Sequence, residues 1–218
     1  MAMLCESMIM NLNSSTNSCP ICKKEGSEAK NLVYKCSTCH LLYKDTSLYK
    51  NSLEEKNRYD FHKFDKNDVN YINQFKELFL EYIDPYLKRG VFLDFGSGKY
   101  SVLLTQIPDT FEKHEYDLYY HNDLNYLNRH YDIIVLTEVI EHLKDPLSVL
   151  SNLTSLLKKN GYLLIKTMFY PEKIDNWWYL RDITHYTFYN YDTFCYLANA
   201  LNLKIIKTNQ KDIILLQK

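Results

Sequence analysis

Two cysteine pairs, Cys19-Pro20-Ile21-Cys22 and Cys36-Ser37-Thr38-Cys39, constrain the fold of this chain more tightly than any other feature. Each pair sets two sulfurs on one tight turn, where both can reach a single ion, and two such turns joined by a hairpin complete a tetrahedral four-sulfur site. Between them lie Gly26 and the strand-like Leu32-Val33-Tyr34-Lys35, which predicts a zinc ribbon over residues 15–45. His40 follows Cys39 directly and is read as a neighbour, because Cys19, Cys22, Cys36 and Cys39 already fill the site. A stretch this short cannot bury a core, so the ion supplies the folding energy. A closed four-sulfur site offers no open position to a substrate, so the zinc is read as structural.

At 218 residues the chain has room for one α/β domain and a small appendage. Hydrophobic residues at 46% and charged residues at 24% supply a normal core and argue against disorder. A net charge of -1 shows no basic excess of the kind a nucleic-acid partner requires. No apolar run of about 18 residues exists, so no membrane span is expected. Met1 to Met10, with Glu6, lacks the basic region and apolar run of a secretory signal. With cysteines paired at metal spacing, the expected location is cytoplasmic.

Residues 46–89 read as a helical linker or lid, in which Asp68 caps an amphipathic helix reaching Leu87. From residue 90 the pattern changes to alternating strands and helices. Val91–Phe95 is a short apolar strand, Gly96-Ser97-Gly98 a turn and Val102–Ile107 a helix. A weak second strand, Lys113–Tyr116, ends at Asp117, and Tyr131–Leu136 is a continuous apolar run typical of a buried parallel strand. A helix over Leu147–Leu157 starts at Pro146, and Tyr162–Thr167 is another buried strand. A helix over Asp192–Leu201 and strands at Leu203–Lys207 and Asp212–Leu216 close the domain. The alternation predicts an α/β Rossmann-like fold over residues 90–218, a mainly parallel seven-stranded sheet whose third strand is stunted by the short span after Asp117.

The segment Phe92-Leu93-Asp94-Phe95-Gly96-Ser97-Gly98 resembles the first motif of class I S-adenosylmethionine-dependent methyltransferases. The resemblance implies that Asp94 supports the loop and the cofactor's amino group, that Phe95, Gly96, Ser97 and Gly98 face the methionine portion, and that Asp117 holds the ribose hydroxyls. A carboxylate suits that last role because its lone pairs receive both hydroxyl protons. Tyr100 stands where the family often has a third glycine. Asp123 and Leu124 are candidates for the adenine contacts. The run from Tyr131 through Leu136-Thr137-Glu138-Val139-Ile140-Glu141-His142-Leu143 resembles the fourth-strand motif of ubiquinone-type methyltransferases, which adds Thr137 and Glu138 to the cofactor contacts. With the four cysteines, Tyr59, His62 and the block Trp178–His185, the resemblance extends to a bacterial group of zinc-knot methyltransferases, in which Tyr59 and His62 belong to a lid.

Methyl transfer from a sulfonium is an in-line displacement, so the protein must aim the acceptor and, for an oxygen or nitrogen, remove a proton. Glu138, Glu141 and His142 follow the fourth core strand, and His185 lies beyond the fifth on the same rim. Glu138, His142 and His185 are therefore the catalytic candidates. Two carboxylates and two imidazoles also suit a divalent site for Mg²⁺ or Mn²⁺, formed by Glu138, Glu141, His142 and His185, similar to the Glu-x-x-Glu-His plus distal His set of small-RNA 2′-O-methyltransferases. A metal-free base, His142 or His185, is the alternative, and a plainer one has Glu141 and His142 capping a helix and pairing with Arg181. Trp177, Trp178, Tyr179 and Tyr186 could wall an acceptor pocket.

The expected function is methylation of a small hydroxylated acceptor at oxygen. A methyltransferase fold without activity, engaging a protein through its zinc knot, is the rival, motivated by Tyr100 and the short third strand. A dinucleotide oxidoreductase would need a glycine where Ser101 stands.

Overall fold

The computed structural model describes residues 17–61 and 67–218. Three short strands come first, β1 (Gly26–Lys30), β2 (Val33–Cys36) and β3 (Leu42–Lys44). Helix α1 (Ser52–Phe61) and helix α2 (Val69–Tyr82) follow. Asp68 caps α2 as expected, accepting from the amides of Asn70 and Tyr71 at 2.8 and 3.4 Å. The helix stops at Tyr82, short of Leu87, because Pro85 disfavours helical backbone just ahead of it.

The remainder runs β4 (Gly90–Phe95), α3 (Val102–Gln106), β5 (Phe111–Tyr116), β6 (Tyr131–Thr137), α4 (Pro146–Leu156), β7 (Leu157–Lys166), β8 (Thr187–Phe188), α5 (Tyr191–Ala200), β9 (Lys204–Thr208) and β10 (Ile213–Gln217). Six of these strands form one sheet in the order β5-β4-β6-β7-β10-β9. The β4–β5, β4–β6 and β6–β7 pairs are parallel, and β10 is antiparallel to both neighbours. The fold is thus α/β, Rossmann-like and mostly parallel.

Successive residues of a strand face opposite layers, and both faces of this sheet are covered. Leu93, Ile134, Leu163 and Ile165 point to the α4–α5 side, where Leu150, Leu153, Phe194 and Leu197 meet them. Phe92, Ile133, Val135 and Leu164 point to the α2–α3 side, against Phe75, Leu78, Phe79 and Leu103. Coverage on both faces explains why β6 reads as an unbroken apolar run.

The structure corrects the strand count. Among the described residues the sheet has six strands, and the third strand expected after Asp117 is absent, leaving β5 at the edge. Residues 118–130 carry only a single turn of tight helix at Leu124–Asn128, capped by Asp123. The span turns back at once, through the Asp117–His121 bridge, and spends Tyr119 and Tyr120 on α1 through hydrogen bonds to Glu55 and Asp60. A second difference concerns the cysteine-bearing ribbon, which is no free-standing appendage. Its sheet continues as β1-β2-β3-β8, with Leu42 paired to Phe188 and Tyr43 to Thr187.

Candidate functional site

The four predicted zinc ligands converge. Cys19 Sγ lies 3.4 Å from Cys39 Sγ and Cys22 Sγ 3.2 Å from Cys36 Sγ, and all four sulfurs fall within 4.8 Å of one another. A disulfide has an S–S length of about 2.05 Å, so these are free thiols gathered about one point. The donor set and spacing fit a tetrahedral zinc ion. Cys19, Cys36 and Cys39 are fully buried, and His40 is not one of the group.

The second site is a cleft of about 1330 Å³ at the carboxyl ends of β4, β5 and β6, where ligands of open α/β sheets bind. Helix α1 roofs it with Glu55, Arg58 and Tyr59. Phe95, Gly96, Ser97, Gly98, Asp117 and Thr137 all line it. Gly96 (φ +81°) and Gly98 (φ +67°) sit in the left-handed region that favours glycine. They differ in kind: a Cβ on Gly96 would stand 2.4 Å from a Val139 methyl, whereas one on Gly98 would meet nothing within 4 Å. Gly96 is packed tight, and Gly98 opens the floor of the cleft.

Two acids flank this loop. Asp117 accepts from the Gly98 amide at 2.9 Å and from the Tyr119 and Tyr120 amides at 2.8 and 3.1 Å, which ties it to the glycine turn. Asp94 is 2% exposed, and its Oδ2 accepts from Ser101 Oγ at 2.6 Å. Ser101 also caps α3 by accepting from the Leu104 amide at 3.0 Å, so the residue occupying the dinucleotide glycine position has a job of its own. Asp94 Oδ1 has no partner among the described residues. Burial, opposed by the Ser101 hydrogen bond, lifts this carboxyl to about 7. A buried carboxylate oxygen left unsatisfied at a ligand cleft is what a cationic amino group would complete. The methionine end of S-adenosylmethionine fits the loop on that ground. Asp123 and Leu124 do not line the cleft; Tyr116, Leu118 and Tyr126 stand there instead. Nothing local in the sequence marked those three.

Across the cleft, Glu138, Glu141, His142 and His185 come together, but not as four equal partners. Glu141, His142 and His185 offer donor atoms within 4.8 Å of one another. Glu138 lies outside that set, its carboxylate taken by Lys166 Nζ at 2.5 Å and Tyr179 OH at 2.8 Å. Its backbone has φ +54°, a strained value for a side chain larger than glycine and one that concentrates at functional sites. Glu141 is fully buried, bonded by Tyr179 OH at 2.5 Å and Thr167 Oγ1 at 2.9 Å. Among the described residues, Glu141 is bonded by Tyr179 and Thr167 and His142 by Thr184, not by Arg181.

The two carboxyls are pushed apart. Burial raises Glu141, and the nearby Glu138 charge raises it further, well above the usual carboxylate range. Burial also works against Glu138, but the Lys166 ammonium and its hydrogen bonds prevail and hold it below its ordinary value. Tyr179 has one proton for two carboxylates, so a proton on Glu141 and a charge on Glu138 give a consistent chain. His142 Nδ1 donates to the Thr184 carbonyl at 2.8 Å and His185 Nδ1 to the Tyr179 carbonyl at 3.0 Å, with the rings 4.7 Å apart. Each Nε2 is thereby left as the accepting nitrogen. Burial lowers both imidazoles, His185 to about 4 with help from its neighbour His142, so both are neutral near pH 7.

Sequence reasoning placed Tyr59 at a lid, and its ring sits edge-on to His142 at 5.3 Å. His62 lies outside the described residues. Sequence reasoning missed Glu55, the buried residue of α1, which accepts from Lys144, Tyr119 and Tyr186 at 2.7, 2.5 and 2.7 Å. It also missed Lys166 and the part Tyr179 plays between the two acids.

A glycine turn at the switch of a mostly parallel sheet, flanked by two strand-end acids, defines a Rossmann-like α/β fold. The chain belongs to the family described as methyltransferase domain, whose model matches residues 70–208. Among solved structures it resembles the mitomycin 7-O-methyltransferase MmcR, with a TM-score of 0.54 and 11% identity over 68% of this chain and 54% of that one. It also resembles Streptomyces venezuelae DesVI (TM-score 0.53, 9% identity, 77% of this chain and 99% of that one). A third likeness is to Burkholderia thailandensis 1,6-didemethyltoxoflavin-N1-methyltransferase with bound 1,6-didemethyltoxoflavin and S-adenosylhomocysteine (TM-score 0.51, 10% identity, 86% and 99%). At these identities the likeness establishes the fold. The chain spans about half the length of MmcR. No curated protein matches it in sequence. No helix among the described residues is long and apolar enough to cross a membrane.

Proposed function

We propose that this chain is an S-adenosylmethionine-dependent O-methyltransferase of a small hydroxylated acceptor, with a structural zinc ion in the four-cysteine knot. The observation that carries the reading is the pairing, in one cleft, of an open glycine loop between Asp94 and Asp117 with the Glu141–His142–His185 cluster opposite it. The cofactor, when bound, supplies a methyl group on a good leaving sulfonium. The protein's part is to hold the acceptor oxygen in line and take its proton. Without a metal, the free Nε2 of His142 or His185 would take that proton as the acceptor oxygen is methylated. Tyr59 and the α1 roof keep water from the reacting atoms.

Glu141, His142 and His185 also present one oxygen and two nitrogen donors, a set suited to Mg²⁺ or Mn²⁺, and such an ion would lower the pKa of an acceptor hydroxyl. An ion there would take the place of the Glu141 proton, so its affinity would rise with pH. The free thiols at metal spacing support a reducing, cytoplasmic setting. The test is transfer of labelled methyl from S-adenosylmethionine to a panel of hydroxylated small molecules, with zinc-replete protein, with and without added Mn²⁺. Transfer that Mn²⁺ stimulates is expected. No cofactor binding at millimolar concentration would contradict the reading and favour a binding module.

A further inference from the structure

One residue joins the cysteine knot to the imidazole pair. Lys44 is the last residue of β3 and is 8% exposed. Its backbone amide donates to the Tyr186 carbonyl at 2.8 Å, and its Nζ donates to the Asp182 carbonyl at 2.6 Å. The ammonium also lies 5.8 Å from the centre of the Phe188 ring. One side chain and its own backbone therefore hold both ends of the segment 182–186.

That segment carries His185 and orients His142, while the Tyr179 carbonyl outside it accepts from His185 Nδ1 at 3.0 Å. Asp182 Oδ1 accepts from the Thr184 amide and hydroxyl at 2.9 and 2.7 Å, and Thr184 then presents its carbonyl to His142 Nδ1 at 2.8 Å. The amide of His185 donates to the same Asp182 carbonyl that Lys44 holds, at 3.3 Å. Arg58 secures the far side of Asp182, its guanidinium 2.6 Å from Oδ2. The place of β3 is fixed in turn by the second cysteine turn, where the Cys36 amide donates to the Leu41 carbonyl at 2.9 Å and the His40 amide to the Cys36 carbonyl at 3.0 Å. Leu42 and Tyr43 then pair with Phe188 and Thr187 just beyond His185.

We propose that Lys44 is a positioning residue through which the cysteine knot fixes the orientation of His142 and His185. The ammonium at this place is costly to desolvate, and a long apolar side chain could fill the space. What an apolar side chain could not do is hold the Asp182 carbonyl. Lys44 does not line the cleft; it acts through the 182–186 segment. The inference rests on the reading above that these imidazoles face the acceptor.

The test reads the rings directly. Zinc-loaded full-length protein labelled with ¹⁵N-histidine is observed by long-range ¹H–¹⁵N correlation at neutral pH, with His142→Gln and His185→Gln variants assigning the two rings. The parent is expected to show both rings fixed as the Nδ1–H tautomer. In Lys44→Met both are expected to lose that single tautomer, while zinc content and S-adenosylhomocysteine affinity stay at parent values; Lys44→Arg restores the parent spectrum. Rings unchanged in Lys44→Met with zinc retained would overturn the proposal, and so would a parent whose rings already exchange between tautomers. If Lys44→Met does not fold, Lys44→Gln, whose amide falls short of the Asp182 carbonyl, is judged by the same criteria. Mn²⁺ added to the parent separates the two ideas. Fixed rings that Mn²⁺ does not broaden count against the metal reading alone; broadened rings with an unchanged Lys44→Met spectrum count against Lys44 alone.

Discussion

The two halves of the cleft are built in opposite ways. The half proposed for the cofactor is mostly local: Asp94, Gly96, Ser97, Gly98 and Ser101 lie within eight consecutive positions, and Tyr116, Asp117 and Leu118 follow at the end of the next strand. The acceptor half is assembled from afar. Tyr179 reaches back 38 residues to Glu141, Thr184 is 42 residues from His142, and Lys44 spans 138 residues to Asp182. A local site is held by turn geometry and helix capping, and it needs little from the rest of the molecule. A distributed site depends on whatever docks its pieces, which here is the cysteine-bearing sheet continued through β8.

If that contrast is right, the largest effect comes from the knot. Cys22→Ser or Cys36→Ser removes one of four thiolates from an ion whose binding in small zinc domains is worth about 10–16 kcal/mol. Loss of soluble protein is expected, or a melting midpoint lower by about 10 °C or more; metal analysis should give one zinc per parent chain and less in the variants. A variant that keeps its parent melting midpoint without zinc would break the comparison.

Next come two substitutions that should separate the halves. Asp117→Ala removes the acid meant for the ribose hydroxyls and frees the Gly98 amide. S-adenosylhomocysteine affinity by calorimetry should fall about 100-fold, from losing hydrogen bonds to a charged group worth about 1.5–3 kcal/mol each. His185→Gln should leave that affinity unchanged and lower methyl transfer by about 10²–10⁴-fold. Equal damage to cofactor binding from both would mean that the halves are not independent.

A smaller effect is set by pH. Asp94 ionises near 7 in the folded chain because burial penalises its charge. A cofactor ammonium wants the carboxylate, so S-adenosylhomocysteine affinity should rise by up to about tenfold per pH unit below that value and level off above it. Asp94→Asn should bind weakly with no such slope. Stability of the cofactor-free protein runs the other way. The unfolded carboxyl ionises near about 3.9, so the stabilisation from a neutral Asp94 is fully present below that pH. It is lost as pH climbs through the folded value near 7.

The smallest effects lie in the glycine turn. Gly98→Ala meets no atom and carries only left-handed strain, about 1–2 kcal/mol. Gly96→Ala adds a clash with Val139 and should cost visibly more in denaturant midpoint. Equal costs would show that the two positions are not as different as their surroundings.

The same contrast decides what could be read from the sequence. The strand–glycine–helix turn, the cysteine pairs and the unbroken apolar run of β6 are contiguous signals, each with a local cause. Periodicity also located α2, α3, α4 and α5 to within a few residues, while α1 was read only as part of a helical stretch over 46–89. The missing third strand was half visible as a short span, but the use of Tyr119 and Tyr120 on α1 depends on Glu55 and Asp60, some sixty residues earlier. The pairing of β3 with the two-residue β8 leaves no trace in composition or spacing. Among the acidic and imidazole residues, the sequence placed all four on one rim. It could not tell that Lys166 and Tyr179 would draw Glu138 away from the other three, because that choice rests on contacts between strands.

The most direct measurement is a crystal structure of the zinc-loaded protein with S-adenosylhomocysteine. The account predicts the amino group at Asp94 Oδ1, the ribose at Asp117 and the sulfur directed across the cleft at the Nε2 atoms of His142 and His185. A nucleotide seated elsewhere, or one whose sulfur faces away from those two rings, would contradict it.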